Sequence, residues 1–320
     1  MKRLRALVTG GAGFIGSHLV VHLVNEGHDV TILDNLSAGV WSNLDSVVDR
    51  VRRVEGDVRD DIIVESLLRD AVPDIVFHLA ANASVPKSVT NPAEDFDINC
   101  NGTVKLLDAT RKTGSRARMV LASSGAVYGE PIKQPISETA VLNPISPYGA
   151  SKMTAENEAR MYQKLYGVDV TIARIFNTYG PRMPRFVVLD FLKKLSSNPE
   201  ELEILGSGEQ VRDFTYVDDT VSGLLLLAEH GVRGESYNIA SGRSASVLEL
   251  AGILLEILKL SGHTRIRTTG ASWLGDAQRW EVDISKLSAL GYSARSLLKE
   301  GLECTIAWYR AAVLKGVVEN

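Results

Sequence analysis

The chain has 320 residues, of which 45% are hydrophobic and 23% are charged, and its formal net charge is −4 at pH 7. This length supports a sizeable buried core, and the acidic balance gives no electrostatic reason to expect nucleic acid or an anionic membrane as a partner. Cys100 and Cys304 have no cysteine or histidine neighbours at ligand spacing, so we expect neither a disulfide framework nor a bound metal. No signal segment or membrane-length apolar run is evident, which predicts a cytoplasmic protein.

The first half of the chain alternates between predicted strands and predicted helices. Strands are predicted at 6–8, 29–33, 51–55, 74–79, 118–122 and 168–175, and helices at 17–26, 60–70, 93–113 and 151–166. This rhythm predicts an α/β fold with a doubly wound parallel sheet, covered by helices on both faces.

The rhythm changes after Asn177. Helices are predicted at 186–196, 217–229, 247–260, 285–290 and 297–314, and short strands at 202–205 and 237–240. We therefore predict a first domain over 1–177 and a smaller mixed α/β lobe over 178–320, with returns to the main sheet near 212–241. No linker or internal repeat separates them, so we expect them to pack with a cleft between them.

The stretch from Leu7 to Gly16 combines a short apolar strand, a glycine turn and the start of a helix. Its Gly-x-Gly-x-x-Gly spacing fits the dinucleotide-binding fingerprint. Glycine permits the sharp turn and a close phosphate, and the helix start presents free N–H groups. By itself, the motif is equally consistent with an ordinary glycine turn. The predicted phosphate-side contacts are Gly10, Gly13, Phe14, Ile15 and Gly16.

Asp34 ends the second predicted strand, 18 residues after Gly16. A carboxylate at this place binds the adenosine ribose hydroxyls and repels a 2′-phosphate. Residues 35–49 contain no Lys or Arg, so NAD is favoured over NADP, although a solvated aspartate at a strand end is the simpler alternative. Further cofactor contacts are predicted near the carboxyl ends of the strands, at Asn35, Ser37, Asp57, Val58, Leu79, Ala80 and Ala81.

Tyr148 and Lys152 are four residues apart in a predicted helix, so their side chains share one face. An ammonium beside a phenol stabilises the phenolate and lowers the tyrosine pKa, which makes a base able to take a proton from an alcohol. Ser124 follows the fifth predicted strand and could share that proton. Each feature alone has a plain structural explanation, as a surface helix pair or a turn serine.

Motifs in fixed order over nearly the whole chain resemble those of the extended short-chain dehydrogenase/reductase family, and within it those of the nucleotide-sugar 4-epimerases. They are TGGAGFIG at 9–16, DNL at 34–36, HLAA at 78–81, NCNGT at 99–103, SSGAVYG at 123–129, SPYGASK at 146–152, RIFNTYGPR at 174–182, RDFTYVDD at 212–219, YNIASG at 237–242 and GD at 275–276.

The resemblance implies a role for each matching residue. Tyr148 is the base, Lys152 is its activator and a ribose ligand, and Ser124 is the active-site hydroxyl. Asn99 supports the catalytic residues or the nicotinamide ribose, and Phe176 lines the nicotinamide side. The implied ligands of the nucleotide-sugar diphosphate and ribose are Asn177, Arg212 and Asp276. On this assignment, 1–177 is the NAD-binding domain and 178–320 is the nucleotide-sugar lobe.

The resemblance also separates the reactions of the family. Its 4,6-dehydratases carry an acidic pair after the active-site threonine, whereas this chain has Gly125 and Ala126 there, which cannot transfer protons. Decarboxylating relatives use an added glutamate or arginine near the sugar, and no glutamate follows Ser124 before Glu130. The implied activity is therefore interconversion of UDP-glucose and UDP-galactose through transient oxidation at carbon four.

Several alternatives remain at this stage. The substrate could be UDP-N-acetylglucosamine. The bulk of Trp280 would favour a plain hexose instead, but Trp280 could also be a packing residue of the lobe. The substrate could be UDP-glucuronate, whose carboxylate Arg182 or Arg185 could meet. A 4,6-dehydratase and a non-catalytic NAD-binding protein are less favoured. The resemblance further implies a homodimer built on the helices at 101–113 and after Lys152, whose apolar positions are equally explained by packing on their own sheet.

Overall fold

The structure, a computed structural model, describes residues 3–270 and 277–314. Its strands are β1 (Arg5–Thr9), β2 (Asp29–Asp34), β3 (Val51–Glu55), β4 (Ile75–His78), β5 (Arg118–Ser124), β6 (Val170–Ile175), β7 (Asn177–Tyr179), β8 (Glu201–Ile204), β9 (Val211–Tyr216), β10 (Ser236–Ile239), β11 (Ser244–Ser246) and β12 (Arg265–Thr268). Seven of them form a parallel main sheet in the order β10-β6-β5-β4-β1-β2-β3. This arrangement confirms the predicted doubly wound α/β fold.

The α-helices of these residues are α1 (Phe14–Asn25), α2 (Asp61–Ala71), α3 (Val85–Thr90), α4 (Pro92–Phe96), α5 (Gly102–Thr113), α6 (Pro147–Tyr166), α7 (Val187–Ser197), α8 (Val217–His230), α9 (Val247–Leu258), α10 (Ser285–Ser288) and α11 (Leu298–Leu314). A π-helical turn over Asp97–Asn101 joins α4 to α5, so the helix predicted at 93–113 is continuous but not regular. A 3₁₀ segment over Trp41–Arg50 was not predicted.

Helices cover the main sheet on both faces. On one face, α1 and α8 pack over β1, β2 and β4 in a core that includes Leu19, Leu224 and Phe77. On the other face, α2, α5 and α6 form a second core with Leu67, Leu106 and Ala159. The strand order reverses between β1 and β4, and this switch point opens a crevice at the carboxyl ends of the strands.

The second half of the chain builds two small sheets beside this crevice. One has the order β11-β9-β7, and the other pairs β8 with β12. Helices α7, α9 and α11 supply their shared core. The sequence did not predict β9 because Arg212 and Asp213 are charged, yet both side chains are buried.

No helix of the described residues is long and apolar enough to cross a membrane.

Candidate active site

The glycine turn between β1 and α1 is packed so tightly that side chains are excluded from it. Gly10 has φ +73°, and a Cβ built on it would lie 2.7 Å from the backbone nitrogen of Ala80. A Cβ on Gly16 would lie 2.1 Å from the carbonyl oxygen of Gly10. At Gly13 a Cβ would meet nothing closer than 3.2 Å, so this side of the turn is open in front of α1. The cradle therefore fits a phosphate group that approaches the helix start.

Asp34 lies against this turn and is buried. Its carboxylate accepts hydrogen bonds from the backbone nitrogens of Ala12, at 2.9 Å, and Leu36, at 2.8 Å. The alternative of a solvated aspartate is therefore wrong. Ser37 follows closely, and its backbone nitrogen donates to the amide oxygen of Asn35 at 3.1 Å.

Asp57 belongs to a charged cluster at the carboxyl end of β3. Its carboxylate accepts from the amide of Asn35 at 2.9 Å and from two guanidinium nitrogens of Arg59, at 2.9 and 2.7 Å. The bonds from Arg59 hold the pKa of Asp57 well below its usual range. Val58 beside it is buried. The chain directly after β4 lies beside the glycine turn, at the same edge of the sheet. This segment contains the predicted cofactor contacts Leu79, Ala80 and Ala81.

Asn99 is held in a buried polar network next to α6. Its amide nitrogen donates to the Asn82 carbonyl at 3.1 Å and to the Ser151 hydroxyl at 3.0 Å. Ser151 in turn donates to the carboxylate of Asp95 at 2.7 Å. Asn99 is therefore linked to α6 through Ser151, the residue directly before Lys152, and it lies in the π-helical turn.

Lys152 is almost fully buried, and its Nζ donates to the carbonyl oxygen of Ala122 at 2.7 Å. Burial lowers the pKa of its ammonium to about 8, while the carboxylates of Asp95 and Glu156 raise it. These two acids therefore keep the buried amine closer to its charged form.

Tyr148 differs from the expectation in one respect. Burial raises the pKa of its phenol, and the influences that lower it are a hydrogen bond with Ser124 and the charge of Arg185, not the charge of Lys152. The geometric reason is that Lys152 points to the end of β5. The structure does bring Ser124, Tyr148 and Lys152 together at one place in the crevice.

Phe176 forms the centre of an aromatic wall beside this set. Its ring stacks on Tyr128, with centroids 6.1 Å apart, and meets Trp280 edge-on at 5.7 Å. A Cβ on Gly125 would lie 2.6 Å from the Phe176 ring, so glycine is required under it. Behind the wall, Arg174 donates to the Tyr128 hydroxyl at 2.8 Å and forms a buried ion pair with Glu156.

The predicted sugar-nucleotide ligands lie on the lobe side. Asn177 begins β7, and Arg212 lies on the adjacent β9. The guanidinium of Arg212 donates to the carbonyls of Val211 and Ala277 and lies 5.2 Å from the centre of the Trp280 ring. Asp276 lies outside the described residues. Trp280 donates from Nε1 to the carbonyl of Gly129 at 3.0 Å, so it packs between the two parts of the chain.

Sequence reasoning missed Asp95, although its buried carboxylate connects Asn99, Ser151 and the charge of Lys152. No local pattern marks it, because its partners are up to 56 residues away in the chain.

This constellation defines an enzyme with a Rossmann-type dinucleotide site and a tyrosine–lysine–serine set in its crevice. The family described as NAD dependent epimerase/dehydratase matches residues 6–240, and the chain belongs to that family. The protein is therefore an NAD-dependent enzyme of the extended short-chain dehydrogenase/reductase type.

Relatives with different reactions resemble the chain to a similar degree. The UDP-glucose 4-epimerase of Mycolicibacterium smegmatis is 35% identical over 96% of this chain and 99% of its own. The UDP-glucuronic acid decarboxylase 1 of Xenopus tropicalis is 35% identical over 96% of this chain and 72% of its own. Among solved structures, the UDP-glucose 4-epimerase of Thermotoga maritima with UDP-glucose has a TM-score of 0.89 at 36% identity, covering 96% of this chain and 99% of that one.

Proposed function

We propose that the protein interconverts UDP-glucose and UDP-galactose by transient oxidation at carbon four of the sugar. The observation that carries this proposal is the set of Ser124, Tyr148 and Lys152. Directly after Ser124 come Gly125 and Ala126, whose side chains have no proton to transfer. Relatives named UDP-glucose 4-epimerase support the choice of sugar.

The roles of the three residues follow from their surroundings. Tyr148 takes the proton of the 4-hydroxyl group, directly or through the hydroxyl of Ser124, with which it forms a hydrogen bond. Arg185 supplies the positive charge that favours the phenolate of Tyr148, whereas Lys152 lies one helical turn away with its Nζ at the end of β5, where it would bind the ribose of NAD. When bound, NAD would accept a hydride from the sugar and return it to the opposite face. Asp34 and the glycine turn would hold its adenosine ribose and pyrophosphate.

Dehydration is disfavoured by the contact between Gly125 and Phe176. The 4,6-dehydratases of this family carry an acidic pair at the positions that correspond to Gly125 and Ala126. Any side chain on Gly125 would begin 2.6 Å from the Phe176 ring, so an aspartate there requires the aromatic wall to move. The surface at this position is therefore shaped by the Phe176 ring, and neither Gly125 nor Ala126 presents an acid.

A uronic acid sugar is the second candidate, and Arg185 favours it. The Nε of Arg185 is buried and has no hydrogen-bond partner, and its charge acts on Tyr148. Its guanidinium lies 5.5 Å from the centre of the Phe186 ring, and it forms no ion pair with a carboxylate of the described residues. A carboxylate on carbon five of the sugar would satisfy these donors. The decarboxylase relative acts on such a sugar by its name.

A panel of nucleotide-sugars distinguishes these candidates. The purified protein with NAD is incubated separately with UDP-glucose, UDP-N-acetylglucosamine, UDP-glucuronate and dTDP-glucose, and the products are identified by NMR. We expect UDP-galactose from UDP-glucose, and no turnover by Tyr148→Phe. Epimerisation of UDP-glucuronate alone would replace the first candidate with the second, whereas release of carbon dioxide or a 4-keto-6-deoxy sugar would contradict both.

We further propose a homodimer that uses α5 and α6. On α6, Met161, Leu165 and Tyr166 are 47%, 60% and 55% exposed. On α5, in contrast, Leu107 and Ala109 are buried against their own sheet. The exposed apolar end of α6 is therefore the part of this surface that needs a partner.

A further inference from the structure

The dinucleotide cradle has no cationic side chain in its own sequence. Residues 7–16 and 35–49 contain neither Lys nor Arg, and the whole chain is acidic. A pyrophosphate carries two negative charges at neutral pH, whereas the start of a helix supplies only a partial positive charge. A full positive charge at this cradle would therefore come from a distant part of the chain.

Arg182 reaches the cradle from the segment between β7 and α7. Its Nη1 donates to the hydroxyl oxygen of Ser17 at 3.2 Å, and Ser17 in turn donates to the carbonyl of Phe14 at 3.0 Å. Both residues belong to the first turn of α1. Next to Arg182, the carbonyl oxygen of Pro181 lies 2.9 Å from Nε2 of His18. The segment is therefore fastened to the start of the helix that faces the cradle.

The backbone of Arg182 has an unusual conformation for this contact. Its φ is +67°, in the left-handed region that residues other than glycine rarely adopt. Phe186, four residues later, has φ +85°. Such strain persists only where the surroundings hold it in place, and it is concentrated at ligand-binding segments.

The guanidinium of Arg182 has more donors than protein partners. It carries five N–H groups, and its hydrogen bond to Ser17 uses one of them. Among the described residues, no carboxylate lies within ion-pair distance of it, and the charge of Asp218 acts on it only from farther away. Burial lowers the pKa of Arg182. A half-buried guanidinium with free donors, next to an anion-binding helix start, is suited to a phosphate group.

We propose that Arg182 completes the cofactor site by donating hydrogen bonds to the pyrophosphate of bound NAD, with Ser17 orienting its guanidinium. The inference depends on the NAD dependence of the family and not on the identity of the sugar. Binding of the pyrophosphate to Arg182 would also affect the catalytic tyrosine. Arg185 follows three residues later and acts on Tyr148, so a pyrophosphate that anchors Arg182 also fixes the segment that carries Arg185.

Calorimetric titration of the nucleotide-free protein tests this proposal with NAD, ADP-ribose and adenosine as ligands. ADP-ribose retains the pyrophosphate, and adenosine lacks it. For Arg182→Gln we expect NAD and ADP-ribose to bind roughly 10- to 100-fold more weakly, with adenosine unchanged. Arg182→Lys should recover part of the loss, and Ser17→Ala should show a smaller loss of the same kind. The exposed Arg310 gives a charge-matched control, Arg310→Gln, for which all three affinities should stay the same.

Two outcomes would overturn the proposal. One is unchanged NAD affinity in both Arg182 variants, and the other is an equal loss for adenosine, which would show a general distortion of the site. Thermal unfolding without ligand identifies any variant that fails to fold, and the Arg182→Lys and Ser17→Ala variants then decide the question. Because no sugar is present in these titrations, their result is independent of the proposed epimerase activity.

Discussion

The charges around Tyr148 and Lys152 determine the pH at which proton transfer works. The buried carboxylate of Asp95 raises the pKa of both residues, so this acid acts on the whole catalytic pair. Asp95 also accepts a hydrogen bond from the Ser151 hydroxyl, so it orients the polar network and places a negative charge in it. We assign it as a positioning residue, because it reaches the reacting atoms only through others.

Asp95→Asn should move the pH–rate profile to lower pH. Removing the negative charge favours the phenolate of Tyr148 and the neutral amine of Lys152, so both pKa values fall, that of Lys152 from about 8. Both limbs of the profile should shift in the same direction, by about one pH unit. The measurement is kcat over pH 6–10.

The control for this prediction is Asp108→Asn. Asp108 is on α5, where it pairs with Arg111 and Lys112 away from the crevice. An unmoved profile in the Asp95 variant, or an equal shift in the Asp108 variant, would show that Asp95 has no electrostatic influence on the site.

At the scale of elements, helix α6 does most of the positioning. Ser146 caps it, with its hydroxyl accepting from the backbone nitrogen of Gly149 at 3.1 Å, and the hydroxyl of Ser88 accepts from Tyr148 at 3.1 Å. The first turn, which carries Tyr148, is therefore held from two directions. Lys152 and Glu156 follow at intervals of four residues on the same face.

Ser146→Ala should reduce both stability and turnover. Losing the cap costs about 1 kcal/mol of unfolding free energy and loosens the turn that holds Tyr148. Ser246 provides the comparison, because it caps α9 through a capping box and α9 carries none of Ser124, Tyr148 and Lys152. Ser246→Ala should cost a similar unfolding free energy in urea and leave kcat unchanged. Equal kcat values for the two variants would mean that the cap of α6 has no part in placing the base.

The elements also show where sequence reasoning works. The alternation of strands and helices predicted the parallel sheet, since its strands are apolar and its turns are marked by glycine. Strand β9 was missed because its charged residues, Arg212 and Asp213, are buried by contacts made elsewhere in the fold. The same limit applies to Asp95 and to the effect of Arg185 on Tyr148. Their importance comes from burial beside Tyr148 and Lys152, which only the folded chain brings about.

Motif positions were more informative about the site than local propensities. Tyr148 and Lys152 lie four residues apart on α6, as the motif predicts, and Ser124 at the end of β5 forms a hydrogen bond with Tyr148. The source of the charge effect on Tyr148 was predicted incorrectly, because the direction of the Lys152 side chain depends on the carbonyl of Ala122 at the end of β5. Periodicity gives the face of a helix, but it does not give the hydrogen-bond partner at the end of a long side chain.

At the scale of the whole molecule, the exposed end of α6 predicts the assembly. Leu165→Glu should convert a dimer into a monomer, because a charge there would be buried at the interface. Ile132→Glu is the matched control, since Ile132 is fully exposed on a loop between β5 and α6. Light scattering coupled to size-exclusion chromatography measures the mass. A wild-type monomer, or a Leu165→Glu variant that remains dimeric, would contradict an interface at this end of α6.

A deuterium label on carbon four of the sugar tests the proposed reversible oxidation, in which NAD is kept as a hydride store. UDP-glucose carrying deuterium on carbon four is incubated with the protein in ordinary water, and the UDP-galactose formed is examined by NMR and mass spectrometry. We expect deuterium to remain on carbon four of the product, without release of NADH. Loss of the label to solvent, or a product altered at carbon five or six, would contradict it.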